Sequence, residues 1–331
     1  MSQANPSVTS KSLMGVPSLP DTASAVGVDI GGTKIVAGCV NAKTGLGEVL
    51  RRPTPKNPTE FIDTLAELIN ASKTGEPAAQ AVGIATAGMV NHKTGEIIGS
   101  TGNLPAAKTA GKLKALLEDR VQLPVHVEND ANAAAYGEAK LGSAQGYDNV
   151  LMITLGTGVG AGIIMNGQLL RGSHFAGAEA GHIFVSLSPH RQGTCGKFDT
   201  WEAYASGPGL AQTALEYLDK DREKHTVLTS PVGTHELVEA WAKGDELALD
   251  LKDVWLDHVG IGLASLLNVL DPDITVIGGG MGPFVDYDVL NRHMQPRLMY
   301  KTPKIVPAQL GNKAGMIGAA IFALETIYGR I

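Results

Sequence analysis

The chain has 331 residues, of which 44% are hydrophobic and 18% charged, and its formal net charge at pH 7 is −6. This length favours two domains, and this hydrophobic content is enough to build a core. The acidic balance gives no electrostatic basis for binding a phosphodiester backbone, so we expect no nucleic-acid partner. Two cysteines, Cys39 and Cys195, cannot form a disulfide framework, which favours a cytoplasmic location.

The first 24 residues are rich in Ser and Pro, without arginine or a continuous apolar stretch. This composition predicts that residues 1–24 are a disordered tail and argues against a secretory signal peptide. No apolar run comes near the ~20 residues that a membrane-spanning helix needs. We therefore expect no membrane partner.

The next predicted elements are two valine-rich strands within residues 25–41, which flank a Gly-Gly-Thr-Lys turn. Residues 149–170 repeat this hairpin around a Gly-Thr-Gly turn and add an Asn-Gly turn with another short strand. Setting Gly31 against Gly156 also aligns the strands on both sides of each turn. The pairing of whole hairpins suggests a duplicated architecture.

Helical and strand patterns alternate through the rest of the chain. Apolar spacing in EFIDTLAELINAS and LKALLEDR predicts helices, whereas AVGIATAGMV and DITVIGGG are typical of buried strands. This alternation predicts an α/β layered fold. We place a small domain at 25–125 and a large one at 126–315, with a last helix at 316–331 that packs back on the small domain.

The two glycine hairpins are candidate phosphate sites. The stretch GTGVGAG runs into a strand and a hairpin turn, where a dinucleotide-binding fingerprint requires a helix. Glycine has no Cβ, so the backbone N–H groups of both turns can approach phosphate oxygens closely. Asp29 precedes the first turn and could hold Mg²⁺ through water, and Lys34 could neutralise phosphate charge. For either loop alone, a tight turn without a ligand stays an equal alternative.

Polar residues follow a predicted strand in VHVENDANAAAYGEA. A helix cap is the simpler explanation, but the carboxyl ends of strands in α/β folds are also where ligands bind. Asp130 is a candidate general base for a substrate hydroxyl that Asn129 would orient. Glu179, His182 and Glu202 are further polar groups among small and apolar residues, and such groups together suit a polyhydroxylated ligand such as a sugar.

Together these stretches resemble the ROK family of sugar kinases, within the actin, Hsp70 and hexokinase superfamily. The likeness runs from 25 to 330 and consists, in order, of GVDIGGTKI, VENDANAAAYGE, TLGTGVGAGII, GAEAGHI, EAYASG, DPDITVIGGG and LGNKAGMIGAA. It implies two ribonuclease-H-like (actin-like ATPase) α/β domains flanking a cleft, and usually a homodimer.

The resemblance also implies site residues and cofactors. Asp130 matches the base that removes the proton from the 6-hydroxyl of the sugar. The matching sugar-binding residues are Asn103, Asn129, Asp130, Glu179, His182 and Glu202. ATP and Mg²⁺ are implied, with ATP along Asp29, Gly31, Gly32, Thr33, Lys34, Gly156, Thr157, Gly158, Gly278, Gly279 and Gly280.

One segment departs from the family pattern. Many members bind a structural zinc with three cysteines and a histidine, and the cysteine positions here are Gly193, Cys195 and Thr200. Cys195 and His182 would leave two of the four zinc positions empty, so we expect no structural zinc. We predict that Phe198 and Trp201 pack inward to hold this loop instead.

The stretch EAYASG resembles the glucose-using branch of the family more than the fructokinase branch. We therefore interpret the chain as an ATP-dependent glucokinase of carbohydrate metabolism and glycolysis. Kinases for fructose, mannose or an N-acetylhexosamine stay open, as does polyphosphate as the phosphate donor. A sugar-responsive repressor would need a winged helix-turn-helix, which ~24 polar residues cannot build. A non-catalytic sensor is disfavoured because Asp130 and both loops are intact.

Overall fold

The computed structural model describes residues 19–73, 78–99, 104, 112–187, 191–193, 195–220, 226–301 and 304–330. The chain forms two compact units, one that runs to Gln145 and resumes at Lys313, and another from Gly146 to Asn312. The last helix belongs to the first unit, and the first unit runs about twenty residues beyond the predicted boundary at 125. It does so because the helix after Asn129 packs against that last helix.

The first unit contains strands and helices in the order β1 (Ser24–Ile30), β2 (Lys34–Asn41), β3 (Gly45–Pro53), α1 (Pro58–Ser72), β4 (Ala81–Thr86), β5 (Met89–Asn91), β6 (Glu96–Gly99), α2 (Leu113–Val121), β7 (Val125–Asn129), α3 (Asp130–Leu141) and, from the end of the chain, α9 (Ala314–Ile327). Its main sheet has the strand order β3-β2-β1-β4-β7. The first three strands are antiparallel neighbours, and β4 and β7 run parallel to β1. The carboxyl ends of β1, β4 and β7 therefore lie along one edge.

Residues 19–24, which the composition placed in a tail, belong to this unit. Leu19 and Ala23 are buried, and the Asn41 side chain donates hydrogen bonds to the carbonyls of Asp21 and Ala23. The predicted tail therefore includes residues that are part of the fold, because Asn41, the last residue of β2, already holds the chain at Asp21 and Ala23. The rest of the predicted tail, residues 1–18, lies outside the described residues.

Helix α9 returns to the first sheet because small residues allow close contact there. A Cβ added to Gly83 of β4 would lie 1.9 Å from the carbonyl oxygen of Ala319, and one added to Gly318 would lie 1.8 Å from that of Ala133 in α3. Such distances are sterically impossible for a side chain, so the glycines are required for this packing. The small-residue pattern AGMIGAA is thus the reason that α9 packs against both the sheet and α3.

The second unit contains β8 (Val150–Leu155), β9 (Val159–Met165), β10 (Gln168–Leu169), α4 (Glu202–Ala205), α5 (Gly207–Lys220), α6 (Thr234–Lys243), α7 (Glu246–Leu270), β11 (Ile274–Gly278), α8 (Tyr287–Met294) and β12 (Lys304–Pro307). Its sheet has the strand order β10-β9-β8-β11-β12. Strands β8 to β10 are antiparallel neighbours, and β11 and β12 run parallel to β8. This is the order and direction found in the first unit, which confirms the duplicated architecture predicted from the hairpins.

The longest helix, α7, is by length and composition able to cross a membrane, since an 18-residue window of it has a mean hydropathy of 1.2. Sequence inspection missed this run. Within the second unit the helix buries Leu247, Leu251, Trp255, Val259 and Leu263, so it acts as the core helix of that unit. An apolar helix buried on several sides is equally typical of a large soluble core.

Candidate functional site

In the first unit, two carboxylates lie at the edge where the parallel strands end. Asp29 is the penultimate residue of β1 and is paired with Ala85 of β4. Asp130 directly follows β7, whose last residue Asn129 is paired with Thr86. Because all three strands run in the same direction, both aspartates reach the same edge of the sheet. The structure therefore brings together the predicted base and the predicted magnesium residue.

Ionisation of the two carboxyl groups at this edge is unfavourable, so the pKa of each lies above its ordinary value. Burial raises the pKa of Asp29 to about 7, with a further contribution from the negative charge of Asp130 and an opposing one from Lys34. Burial also raises the pKa of Asp130, although hydrogen bonds from backbone N–H groups oppose this shift. Shifts of this kind are typical of catalytic carboxyl groups and of carboxylates that lack a counter-cation.

Asn129 has the helix-cap role that was the simpler interpretation. Its Oδ1 accepts the N–H of Asn132 at 3.0 Å, and its Nδ2 donates to the carbonyl of Gly88 at 3.1 Å. These contacts fix the first turn of α3, and with it the carboxylate of Asp130, which accepts the N–H of Ala131 at 2.9 Å. The cap thus positions the predicted base.

The first glycine turn is anchored at its sides and exposed at its tip. The N–H of Gly31 donates to the Lys34 carbonyl at 3.0 Å, and the Thr54 hydroxyl donates to the Gly31 carbonyl at 2.6 Å. Gly32, Thr33 and Lys34 are exposed. The turn therefore offers backbone N–H groups and one cationic side chain to solvent.

The start of α9 also lies beside the two carboxylates. A Cβ on Gly315 would stand 3.7 Å from Asp29 Oδ2 and 3.7 Å from the main-chain oxygen of Asp130. Sequence reasoning assigned no site role to this position. The signal was present in the small residues of LGNKAGMIGAA and ANAAAYG, which allow the two helices to begin close to the same edge.

In the second unit, the glycines predicted to bind nucleotide come together from two loops. Gly279 has φ of +82°, and a Cβ there would lie 2.3 Å from the carbonyl oxygen of Leu155 at the end of β8. The next loop is adjacent, because a Cβ on Gly156 would have as its nearest atom the nitrogen of Gly280 at 4.0 Å. Residues 156–158 and 278–280 therefore form one glycine-lined edge of the second sheet.

The predicted sugar-binding residues of the second unit meet beside this edge. Glu202, the first residue of α4, accepts the N–H of Val159 at 3.2 Å, and its carboxylate stands against Gly158. A single helical turn from Ala180 to His182 packs on the same Val159, because Gly181 has no Cβ to block the contact. This turn carries His182 and follows Glu179, whose carboxylate lies 3.6 Å from the imidazole.

The segment from Arg191 to Trp201 is organised differently from the prediction. Trp201 is 0% exposed, as predicted, but Phe198 is 49% exposed, so the prediction for Phe198 is wrong. Asp199, the next residue, points inward instead: it is buried and accepts a hydrogen bond from the Tyr204 hydroxyl.

The possible metal ligands of this segment are few. Cys195 Sγ lies 3.7 Å from His182 Nδ1. Among the described residues, no group of three or more His, Cys, Asp or Glu side chains could hold a metal ion.

One predicted site residue, Asn103, lies outside the described residues. All the other predicted site residues are described. Those of the first unit lie at its carboxylate-bearing sheet edge, and those of the second unit lie at or beside its glycine-lined sheet edge. Sequence reasoning assigned no role to Arg191 and Asp199, which lie outside the quoted motifs, or to Tyr204, which lies inside EAYASG. Their role becomes visible only through the contacts described below.

The strand order of each unit, with a glycine hairpin between its first two strands, defines the class of protein: an α/β protein with the actin-like ATPase fold. The family model of the ROK family matches residues 25–326. The chain therefore belongs to the ROK family, as the sequence predicted, and within it to the sugar kinases.

Three relatives illustrate this similarity. A glucokinase from Streptomyces coelicolor is 37% identical over 313 residues, which cover 91% of this chain and 97% of the relative. An N-acetyl-D-glucosamine kinase from Escherichia fergusonii is 34% identical over 315 residues, covering 90% of this chain and 99% of the relative. The solved structure of a ROK family glucokinase from Streptomyces griseus, in complex with glucose and AMPPNP, is 34% identical, with a TM-score of 0.77 over 91% of this chain and 99% of that one.

Proposed function

We propose that this protein is an ATP-dependent glucokinase that phosphorylates the 6-hydroxyl of glucose. The observation that carries the proposal is Asp130, a carboxyl group with a raised pKa at the end of β7, beside Asp29 and the first glycine turn. The glucokinases among the relatives support glucose as the acceptor.

Asp130 acts as the general base in this proposal. Its carboxylate takes the proton of the sugar 6-hydroxyl as that oxygen attacks the γ-phosphorus of ATP, and ADP leaves with the electron pair of the broken P–O bond. A base whose pKa lies closer to neutral is better matched to a hydroxyl proton than an ordinary aspartate. The cap formed by Asn129 holds this carboxylate in one orientation.

The glycine-lined edges suit the phosphates of the donor. Residues 32–34 of the first turn are exposed, and the loops 156–158 and 278–280 are adjacent at Gly156 and Gly280. Backbone N–H groups in such turns bind phosphate oxygens, and the protein contributes mainly positioning and charge neutralisation to phosphoryl transfer.

The donor set of the first unit fits a magnesium ion. Burial raises the pKa of both Asp29 and Asp130 above the ordinary value, and the charge of Lys34 opposes the shift at Asp29. Carboxylate oxygens with an excess of negative charge are the ligands that Mg²⁺ takes, directly or through water. Asp29 would hold the ion, which when bound neutralises charge on the phosphates.

Polar side chains in each unit are the proposed ligands of the sugar hydroxyls. Glu179, His182 and Glu202 form one group in the second unit, and Asn129 lies next to the base in the first. Asn103 completes the proposed set. Charged and amide groups of this kind discriminate sugars by hydrogen bonds to several hydroxyls.

An N-acetylglucosamine kinase is the second candidate, because a relative of that name is 34% identical over nearly its full length.

We also propose that the enzyme acts in the cytoplasm as a homodimer that serves glycolysis. Sedimentation of the purified full chain tests the dimer: a single species of about 69 kDa, twice the 34.5 kDa chain, is expected.

The decisive experiment is a substrate panel with the purified full chain. Glucose, mannose, fructose, N-acetylglucosamine and N-acetylmannosamine are each assayed with Mg²⁺ and either ATP or polyphosphate. The proposal expects the highest kcat/KM with glucose and ATP. A higher kcat/KM for N-acetylglucosamine would favour the second candidate, and no phosphorylation of any hexose would overturn the kinase assignment.

A further inference from the structure

The loop before α4 closes through Arg191 and Asp199. The N–H of Asp199 donates to the Arg191 carbonyl at 2.8 Å, and the N–H of Arg191 donates to Asp199 Oδ1 at 3.3 Å. Asp199 has φ of +55°, a backbone conformation that few residues other than glycine and asparagine adopt easily. Both side chains are buried, and neither belongs to the proposed substrate or nucleotide set.

The buried guanidinium of Arg191 connects the loop to two helices. Nη1 donates to the carbonyls of Ala203 in α4 and Gly209 in α5, at 3.4 and 3.3 Å, and to Thr213 Oγ1 at 3.0 Å. Nη2 lies 2.8 Å from Glu216 Oε2. A planar fork of donors can serve several fixed acceptors at once, which a lysine ammonium cannot do in the same geometry.

An aromatic ring completes this cluster. The Arg191 guanidinium lies 4.4 Å from the centre of the Tyr204 ring, and the Tyr204 hydroxyl donates to Asp199. Burial, followed by this hydrogen bond, raises the pKa of Tyr204 to about 12, so the phenol stays neutral. His258 packs edge-on against the same ring, and burial together with the Arg191 charge lowers its pKa to about 4. Arg191 is therefore the cation of this buried cluster at neutral pH.

Helix α4, which begins with Glu202, is very short and is held at its carbonyls by side-chain donors. Its four residues make one turn, too few for a helix to be stable by itself. The carbonyl of Ala203, next to Glu202, is held by Arg191, and that of Ala205 by Trp255 Nε1 at 2.7 Å. The Glu202 carboxylate in turn reaches the glycine hairpin at Val159.

We propose that Arg191 is a positioning residue for sugar binding: with Asp199 and Tyr204 it holds α4, so that Glu202 stays beside the glycine hairpin. This inference rests on the proposed function, in which Glu202 binds a sugar hydroxyl. Arg191, Asp199 and Tyr204 thus cross-link the loop before α4 to the helix itself. A bound ion could otherwise supply this cross-link.

The test compares Arg191→Met with Arg297→Met in the full-length enzyme. Arg297 is a matched control because it also bonds a carboxylate, Asp257 at 2.7 Å, and a carbonyl, that of His293, but on the surface of α7 and α8. For Arg191→Met we expect KM for glucose to rise about tenfold, with kcat and KM for ATP within about threefold of wild type. Arg297→Met should leave all three constants within about twofold.

Two further variants keep the test decisive. Thr213→Val removes one acceptor of Arg191 without burying a new charge, so it should fold and raise KM for glucose about two- to threefold. Glu202→Gln should raise KM for glucose at least as much as Arg191→Met. Assays run well below the melting temperature of each variant, which separates positioning from a loss of folded enzyme.

The outcomes separate the two claims. If Glu202→Gln raises KM for glucose but Arg191→Met and Thr213→Val leave it unchanged, the positioning role is overturned and the proposed function stands. If the wild-type enzyme phosphorylates no hexose, or Glu202→Gln has no effect on KM, the sugar-binding role of Glu202 fails and the inference fails with it.

Discussion

The sheet edge of the first unit carries two carboxylates with raised pKa values, whereas the corresponding edge of the second unit carries glycine turns and a glutamate bonded to backbone N–H. The strand orders are the same, so the difference lies in side chains. In the hairpin alignment, Asp29 corresponds to Thr154, which has no charge. A duplicated fold thus supplies two sets of backbone donors, and the proposed proton chemistry belongs to the unit whose edge carries the carboxylates.

The largest expected effect comes from removing the proposed base of the first unit, Asp130. Asp130→Asn keeps the shape of the side chain but cannot accept a proton, so kcat should fall by about a thousandfold while glucose affinity changes little. Steady-state kinetics and calorimetric titration with glucose measure the two quantities. The exposed Asp119 provides the control, since Asp119→Asn makes the same chemical change away from the edge. Turnover near the wild-type value would remove Asp130 from the base role.

The glycine-lined edge of the second unit should be sensitive to an added side chain at Gly279, where the backbone is closely packed. Gly279→Ala requires a side chain at φ of +82° and 2.3 Å from the Leu155 carbonyl oxygen, so we expect a loss of ~2 kcal/mol or more in the free energy of unfolding. Gly280→Ala is the matched control, because no atom lies within 4 Å of its added Cβ. Urea denaturation of both variants tests this. Equal stabilities would show that the glycine edge tolerates side chains.

These contrasts also explain what sequence could and could not predict. Local signals sufficed for the hairpins, the duplicated sheets and the position of Asp130 at the end of a strand, because turn glycines and strand-end carboxylates lie within a few residues of each other. The role of Arg191 depends on acceptors at Ala203, Gly209 and Thr213, which only the folded chain brings together. Phe198 was mispredicted because a buried aspartate took the inward position, a choice that hydrophobicity alone does not predict.

The two units should also differ, by a smaller amount, in how the free energy of unfolding depends on pH. Burial and Asp130 raise the pKa of Asp29 from 3.8 to about 7, so its contribution to stability is complete below pH 3.8 and is lost as the pH rises through about 7. In metal-free buffer, Asp29→Asn should therefore be more stable than wild type at pH 8 by ~1 kcal/mol, a value discounted because the side chain is partly exposed to solvent. The difference should shrink toward pH 4.

Asp245 in the second unit provides the opposite case. Burial acts to raise its pKa, but hydrogen bonds from Ala248, Val227 and Thr226 outweigh burial and hold the pKa below its ordinary value. Its contribution is present above the ordinary pKa and lost as the pH falls, so Asp245→Asn should destabilise the protein by ~1 kcal/mol at pH 8 and less at acidic pH. Thermal unfolding across this pH range compares both variants. The same sign for both would contradict the contrast between the units.

The smallest expected effect is that of removing zinc. The loop of the second unit is held by Arg191, Asp199 and Tyr204, whereas Asp29 of the first unit is the residue proposed to hold magnesium. Exhaustive chelation should therefore abolish activity only until Mg²⁺ is restored, with no requirement for zinc. Activity is measured after chelation and after each metal is added back, and metal content is measured by mass spectrometry. Recovery that needs zinc, at about one zinc per chain, would mean that the buried cluster is insufficient to hold α4 and that the second unit also depends on a cation.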